Sequence, residues 1–223
     1  MVWSLNYFYN SDYFKVKNIE VQDNEHYEDE EITSLIPEVI GANIFDINKK
    51  IAEETVAEEL NWVKDAELSK IFPNKVVLKL IERRPDLIIS YRGEYFLMDN
   101  DGVILDEIGR GDLNSFKDLI LVRNAVSHRI NIGEKIAKKN VLSCADIYRA
   151  LDSQMRDLIK EARIEDNISG DIVFETNDGK EIIFGNGSEI IKKIEILKQL
   201  LKEEEYYTII EIDLRSTENP VVK

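Results

Sequence analysis

The sequence predicts an α+β protein of two domains, and three observations predict it. The clearest is a hairpin in residues 70–85. One strand ends at Ile71, Phe72-Pro73-Asn74 makes the turn, and Val76, Leu78 and Leu80 alternate with Val77, Lys79 and Ile81. Pro85 then stops the ladder, because it has no N–H to donate. The second observation is the order upstream: a strand and two amphipathic helices lead into the hairpin, giving β-α-α-β-β, a three-stranded sheet with two helices. The third is a change of texture after Pro85 to short strands and tight turns with two helical stripes among them. That pattern predicts an antiparallel β-sheet domain with two helices.

Within the first domain, residues 14–21 alternate with period two and predict the first strand. Ile32, Leu35, Ile36, Val39 and Ile40 fall on one helical face, which Pro37 ends or kinks at Ile36. Asn48 is placed to cap a second helix that buries Ile51, Thr55, Val56 and Leu60. Trp62-Val63 leads into the hairpin, and these elements make a small core.

In the second domain, Leu87–Tyr91 and Tyr95–Met98 flank Arg92-Gly93-Glu94, and Asn100-Asp101-Gly102 turns the chain into Val103–Asp106. Leu119–Val122 is a further strand. Cys144, Tyr148, Leu151, Met155, Leu158 and Ile159 share one helical stripe over residues 140–162. Asp171–Thr176 and Glu181–Phe184 pair across Asn177-Asp178-Gly179-Lys180. A helix over residues 188–204 buries Ile190, Ile191, Ile194, Leu197, Leu200 and Leu201, and the last strand runs from Tyr207 to Leu214.

Forty-four acidic against twenty-nine basic residues give a formal charge of −15. That balance argues against nucleic acid, which needs clustered Lys and Arg, and equally against docking on anionic lipid. Cys144 is the only cysteine, so no internal disulfide forms, and its place in an apolar stripe marks it as a buried small hydrophobe. No segment is apolar for the ~20 residues of a membrane span. Val2, Trp3, Leu5, Tyr7, Phe8, Tyr9, Tyr13 and Phe14 crowd aromatics into the first residues. Composition favours an arm packed on the domain, while Trp and Tyr also gather where a membrane helix meets water.

Several of these motifs occur together in one family. The Phe72-Pro73-Asn74 turn, the closing Glu82-Arg83-Arg84-Pro85 and the connector Gly41-Ala42-Asn43-Ile44-Phe45 resemble the POTRA domain of the FtsQ/DivIB bacterial cell-division proteins. The hairpin Tyr95-Phe96-Leu97-Met98-Asp99 with Gly102-Val103 resembles the opening of that family's second domain. Phe184-Gly185 with Lys193-Ile194, and then Ile212-Asp213-Leu214-Arg215, resemble its close. The resemblance implies a membrane-proximal segment over residues 1–13 that is the remnant of a transmembrane anchor, a POTRA domain over 14–85 and the family's β domain over 86–223. It also implies a single-pass cell-membrane protein of the division septum, with this region outside the cytoplasm and its anchor absent from this chain.

Chemistry finds little to work with. His26 and His128 lie far apart in sequence, Cys144 sits in a helix core, and no Cys-His pair or metal quartet can be assembled. No cofactor, small-molecule substrate or catalytic residue is expected. Gly185-Asn186-Gly187-Ser188 lacks the glycines and the Lys of a phosphate loop, and Glu189 would repel phosphate, so it reads as a turn capped by Ser188. Glu82-Arg83-Arg84-Pro85 reads as a strand end with its charges in water.

The C-terminal strand leaves two readings open from the residues alone. Asp213 and Arg215 point to one face and form a surface ion pair, or Arg215 opens an edge strand that continues through Ser216, Thr217, Glu218, Pro220, Val221 and Val222. The resemblance favours the second, because family members recruit FtsB/DivIC and FtsL at this edge. It implies a non-enzymatic divisome scaffold that binds FtsB/DivIC-like and FtsL-like proteins and links septal assembly to the peptidoglycan synthesis machinery. One alternative is a POTRA-containing outer-membrane assembly or secretion component, which would bring tandem POTRA copies or a β-barrel. The other is an uncharacterised enzyme, which the scarcity of His and Cys disfavours.

Overall fold

The computed structural model describes residues 9, 11–203 and 208–223. The segment expected over residues 1–13 lies outside them at 1–8 and 10, as does Tyr207 of the last expected strand. Two compact units meet at Arg84 and Pro85.

The first unit holds strands β1 (Asn18–Gln22), β2 (Val63–Ile71) and β3 (Lys75–Glu82) and helices α1 (Asp29–Ser34) and α2 (Lys49–Glu59). β1 lies parallel to β3, β2 lies antiparallel to it, and the order is β1-β3-β2. Val76, Leu78 and Leu80 of β3 are buried, together with Leu68 of β2 and Ile32, Ile36, Val56 and Ile44. The bond Phe72–Pro73 in the turn is cis.

Three local expectations shift here. β1 starts at Asn18 rather than Phe14, because residues 14–16 are held by the 41–44 connector instead: Val16 N–H donates to Ala42 O at 2.9 Å and Ile44 N–H to Phe14 O at 2.9 Å. α1 ends at Ser34, and Pro37 opens a separate 3₁₀ turn, Pro37–Val39. Asn48 does cap α2, its Oδ1 accepting from Ile51 N–H at 3.4 Å, yet the buried face passes through Ala52 and Val56 and leaves Ile51 exposed.

The second unit is one nine-stranded sheet of β4 (Pro85–Tyr91), β5 (Glu94–Asp99), β6 (Ile104–Ile108), β7 (Ile120–Arg123), β8 (Ile159–Ile164), β9 (Ile172–Thr176), β10 (Glu181–Gly185), β11 (Glu211–Asp213) and β12 (Val221–Val222). Its order is β12-β11-β10-β9-β8-β7-β4-β5-β6. Helices α3 (Lys139–Ala150), α4 (Ser153–Leu158) and α5 (Ile190–Leu200) accompany it, and the core gathers Leu87, Val122, Ile147, Phe174, Phe184 and Leu197. β4 and β5 join through Arg92 and Gly93, both at positive φ (52° and 92°), the two-residue turn that matches strand twist.

The α+β class is as the sequence predicts, but the sheet is mixed rather than antiparallel. β4–β7, β7–β8 and β10–β11 are parallel pairs. Parallel neighbours need a crossover, and between β7 and β8 α3 and α4 supply it. The single helix expected over residues 140–162 is therefore two helices and a strand. α3 ends at Ala150, Asp152 caps α4 by accepting from Met155 N–H at 3.0 Å, and β8 begins at Ile159. α5 is shorter than expected, leaves Ile191 exposed and is entered through Glu189 in the left-handed region (φ 51°) rather than through a Ser188 cap.

Candidate partner-binding edge

β11 enters the sheet parallel to β10, with Ile212 opposite Ile182. The chain does not run on from Leu214 as a continued strand, the course expected for Ser216–Val222. It reverses through residues 215–220 and returns as β12, antiparallel to β11, with Val222 opposite Ile212 and Val221 opposite Asp213. Two local bonds support the reversal: Asn219 N–H donates to Ser216 Oγ at 3.3 Å, and Thr217 Oγ1 lies 3.3 Å from Glu189 Oε2. Ser216, Glu218 and Pro220 are exposed. The outer strand of the sheet is thus β12, and it covers β11.

The ladder fixes which groups on β12 point outward. Lys223 N–H donates to Glu211 O at 3.0 Å and Lys223 O accepts from Glu211 N–H at 3.2 Å, so these two residues form a hydrogen-bonded pair. In an antiparallel ladder the next pair inward does not exchange bonds. Val222 opposite Ile212 is that pair, so the N–H and C=O of Val222 face away from β11. Pro220 has the same parity and presents only a carbonyl, which a Pro on an edge strand tolerates. Val221 and Val222 are 47% and 45% exposed, so neither packs inward. A two-residue strand at the rim has no second layer to bury them. Lys223 closes this corner by an ion pair to Glu211 at 2.8 Å, which lifts its own pKa.

Arg215 does not stand ready for an incoming carboxylate. Its guanidinium donates to Asp213 through Nη2 at 2.6 Å and Nε at 3.0 Å, and Nη1 lies 3.4 Å from Asp171 Oδ2. Arg215 N–H also donates to Asp213 Oδ1 at 3.0 Å. These bonds hold the Asp213 carboxyl below the usual carboxylate range and raise the Arg215 pKa. A side chain whose fork is filled by its own chain shapes the turn. Gly185, at φ 71°, lets it lie there: a Cβ on Gly185 would sit 3.0 Å from Arg215 Cγ. The Asp213-x-Arg215 spacing revealed half of this cluster. Asp171, 44 residues from Arg215, could not be tied to it from sequence.

Lys193 explains the pairing of Phe184-Gly185 with Lys193-Ile194. Its side chain is 1% exposed, and Nζ donates to Phe184 O at 2.6 Å, pinning the end of β10 to α5. Burial lowers its pKa. On α5 Lys193 lies on the face of Ile190 and Leu197, and its neighbour Lys192 does not.

The histidines occupy structural contacts. His26 stacks on Trp62 with ring centroids 3.8 Å apart, and its Nδ1 lies 2.5 Å from Glu82 Oε2. His128 Nε2 lies 2.6 Å from Glu134. Burial pushes the Cys144 thiol up, out of nucleophilic range. Among the described residues no three His, Cys, Asp or Glu side chains gather as metal donors. No helix among them is long and apolar enough to cross a membrane.

Comparison with known proteins places the chain. The FtsQ-type POTRA domain model matches residues 14–83, and the C-terminal domain model of cell division protein FtsQ/DivIB matches residues 88–215. The chain belongs to the FtsQ/DivIB family of cell division proteins. It is 32% identical over 106 residues to cell division protein FtsQ of Syntrophotalea carbinolica, an alignment covering 48% of this chain and 37% of that protein. It is 24% identical over 194 residues to FtsQ of Corynebacterium glutamicum, covering 85% and 80%. With cell division protein DivIB of Clostridium tetani the figures are 27% over 124 residues, 56% and 45%. The chain thus spans less than half the length of the first and third. The solved extracytoplasmic domain of DivIB from Geobacillus stearothermophilus overlays with TM-score 0.31 at 12% identity, covering 48% of this chain and 82% of that one, too loosely to bear on the argument.

Proposed function

We propose that this chain is the external part of a bitopic division scaffold that catalyses nothing and holds FtsB/DivIC-like and FtsL-like partners by strand addition to β12. In this reading a POTRA domain spans residues 14–85, the partner domain spans 86–223, and a membrane helix outside this chain anchors both at the septum. Holding those partners links septal assembly to peptidoglycan synthesis. The observation that carries the reading is the outward N–H and C=O of Val222 on an exposed rim strand, since strand addition takes its affinity from main-chain groups and its specificity from alternate side chains. Arg215, Ser216, Thr217 and Glu218 hold the turn that presents this strand, and Pro220, Val221 and Val222 form the contact. The match of residues 88–215 to the family's C-terminal domain favours this over an outer-membrane assembly component.

The test is capture of a purified FtsB/DivIC-like partner by the full chain, by a chain lacking Pro220–Lys223, and by Arg215→Glu. The deletion should abolish capture with the circular dichroism spectrum kept. Arg215→Glu, facing Asp213 and Asp171, should splay the turn and weaken capture at least about tenfold, the loss of one charged contact. Undiminished binding by a chain ending at Ser216 would reject this edge and move the search to the POTRA domain.

A further inference from the structure

The first unit carries an aromatic cluster of which only Phe14 belongs to its core. The Phe45 ring lies 5.6 Å from Tyr9, 5.2 Å from Phe72 and 5.2 Å from Phe14, and Tyr13 meets Phe14 edge-on at 5.3 Å. Only Phe14 of these is buried; Tyr13, Phe45 and Phe72 are 60%, 44% and 57% exposed, and Ile71 beside them is 49% exposed. The cluster sits at one end of the sheet, where β2 ends, the turn reverses the chain and β3 begins.

Lysines rim this end. Lys70 Nζ donates to Phe45 O at 3.4 Å, Lys75 starts β3, and Lys17 N–H donates to Asn74 O at 3.0 Å. Lys15 pairs with Asn43 across a bridge, and Lys49 and Lys50 open α2. Four carboxylates share this end: Asp12 on Lys15 at 2.7 Å, Glu20 on Lys75, Glu54 on Lys50 at 3.5 Å, and Asp46, which accepts from the Tyr9 hydroxyl. Six lysines against four carboxylates leave it net positive in a chain of charge −15.

The acid is at the opposite end. β3 finishes at Glu82, which accepts the N–H groups of Glu25 at 2.8 Å and His26 at 3.1 Å and so ties the run Glu25–Glu31 there. α2 ends there too, at Glu58-Glu59. An eight-residue strand separates the two ends by about 23 Å. That is more than two Debye lengths of about 8 Å at physiological salt, so the acidic end is screened from whatever the lysines meet.

We propose that this end docks on a bilayer surface rich in anionic lipid, the exposed rings entering the headgroup layer and the lysines meeting lipid phosphates. Aromatic side chains with a cationic rim are the chemistry of that boundary. The sequence leading to Tyr9, with Trp3, Leu5, Tyr7 and Phe8, has the same character. The net charge argues the opposite only if charge is treated as uniform. The lipid contact is independent of the partner edge on β12, and no division partner enters its test.

The test is flotation of the full chain with phosphatidylcholine vesicles, with and without phosphatidylglycerol at about one part in three. The chain should float with the anionic vesicles and not with the neutral ones. Lys17→Glu, Lys49→Glu and Lys50→Glu together should cut partitioning on the order of a hundredfold, at about fivefold for each lysine. Lys64→Glu, Lys79→Glu and Arg84→Glu make the same charge change toward the opposite end of this unit and should stay within about twofold of the parent chain, whose other charges are screened. Phe72→Ser should weaken binding with the charge untouched. Absence of flotation by the parent chain, or equal loss in both triple variants, overturns the proposal; in the first case the patch serves a protein instead.

Discussion

The nine-stranded sheet ends in two edges that are finished in opposite ways. At the start of β6 the chain covers its own edge: Ile104 N–H donates to Glu134 O at 2.9 Å, Gly133 N–H to Ile104 O at 2.8 Å, and Val103 bridges Lys135. At β12 no described segment lies outside Val221 and Val222. An unpaired strand edge is a liability that proteins blunt where they have no use for it. Here a loop blunts the start of one edge and no described segment blunts the other, which is the pattern expected if β12 is kept for a partner.

Both edges depend on one core, and the largest effect should come from there. Phe174 is fully buried and meets Phe184 at 5.3 Å in a T-shaped contact. Phe174→Ala should cost about 3–5 kcal/mol, with the amides of β6 and β11 exchanging faster together and those of β3 unchanged. Slower loss at one edge than the other would show that the edges unfold separately, and loss at β3 would join the two units.

A smaller effect should separate the edges. Gly102 has φ 86°, and a Cβ there would stand 2.4 Å from Ile136 O, the carbonyl of the covering loop. Gly102→Ala should cost about 1–3 kcal/mol. It should free the Ile104 and Ile136 amides to exchange and leave intact the capture proposed for β12. Protection unchanged at Ile104 would mean the loop does not close that edge.

The smallest effect is set by pH. Arg215 holds the Asp213 carboxyl below its ordinary value, so the contribution of this pair is fully present above the unfolded-state pKa of about 3.9 and fades as pH falls through the lower folded value. Below about pH 4 the Arg215 amide, bonded to Asp213 Oδ1, should lose protection before the β6 amides do. Asp213→Asn should remove that dependence. A dependence that persists in the variant would point to Glu211 or another carboxylate.

Much of this was legible because it is local. The hairpin of β2 and β3 follows from alternation bounded by Phe72-Pro73-Asn74 and Pro85, and Arg92-Gly93 wrote its own turn. Helix limits were less so. The stripe from Cys144 to Ile159 is continuous on paper, but α3 ends at Ala150 and Ile159 opens a strand. Apolar spacing alone does not register a break that a cap at Asp152 makes. On α2, Ile51 outranks Ala52 in hydrophobicity, yet Ala52 is the buried one, because a small side chain fits close to the sheet.

That the C-terminal stretch forms strand at the sheet edge is legible in the sequence; that it first reverses onto β11 is not. The bond from Arg215 to Asp171 is not legible because the two are distant in sequence, and Asn219-Pro220, a turn signal, marks a reversal without saying which strand the chain returns to.

The sequence by itself determined the elements that depend on neighbours in the chain: strand alternation, the glycine and proline turns, the Asn48 cap and the POTRA-like order of the first unit. Only the tertiary structure decided which strands are parallel, which edge is covered and where the charge lies. Those depend on groups brought together from distant positions, and neither a periodicity nor a net charge of −15 records where in space its contributors sit.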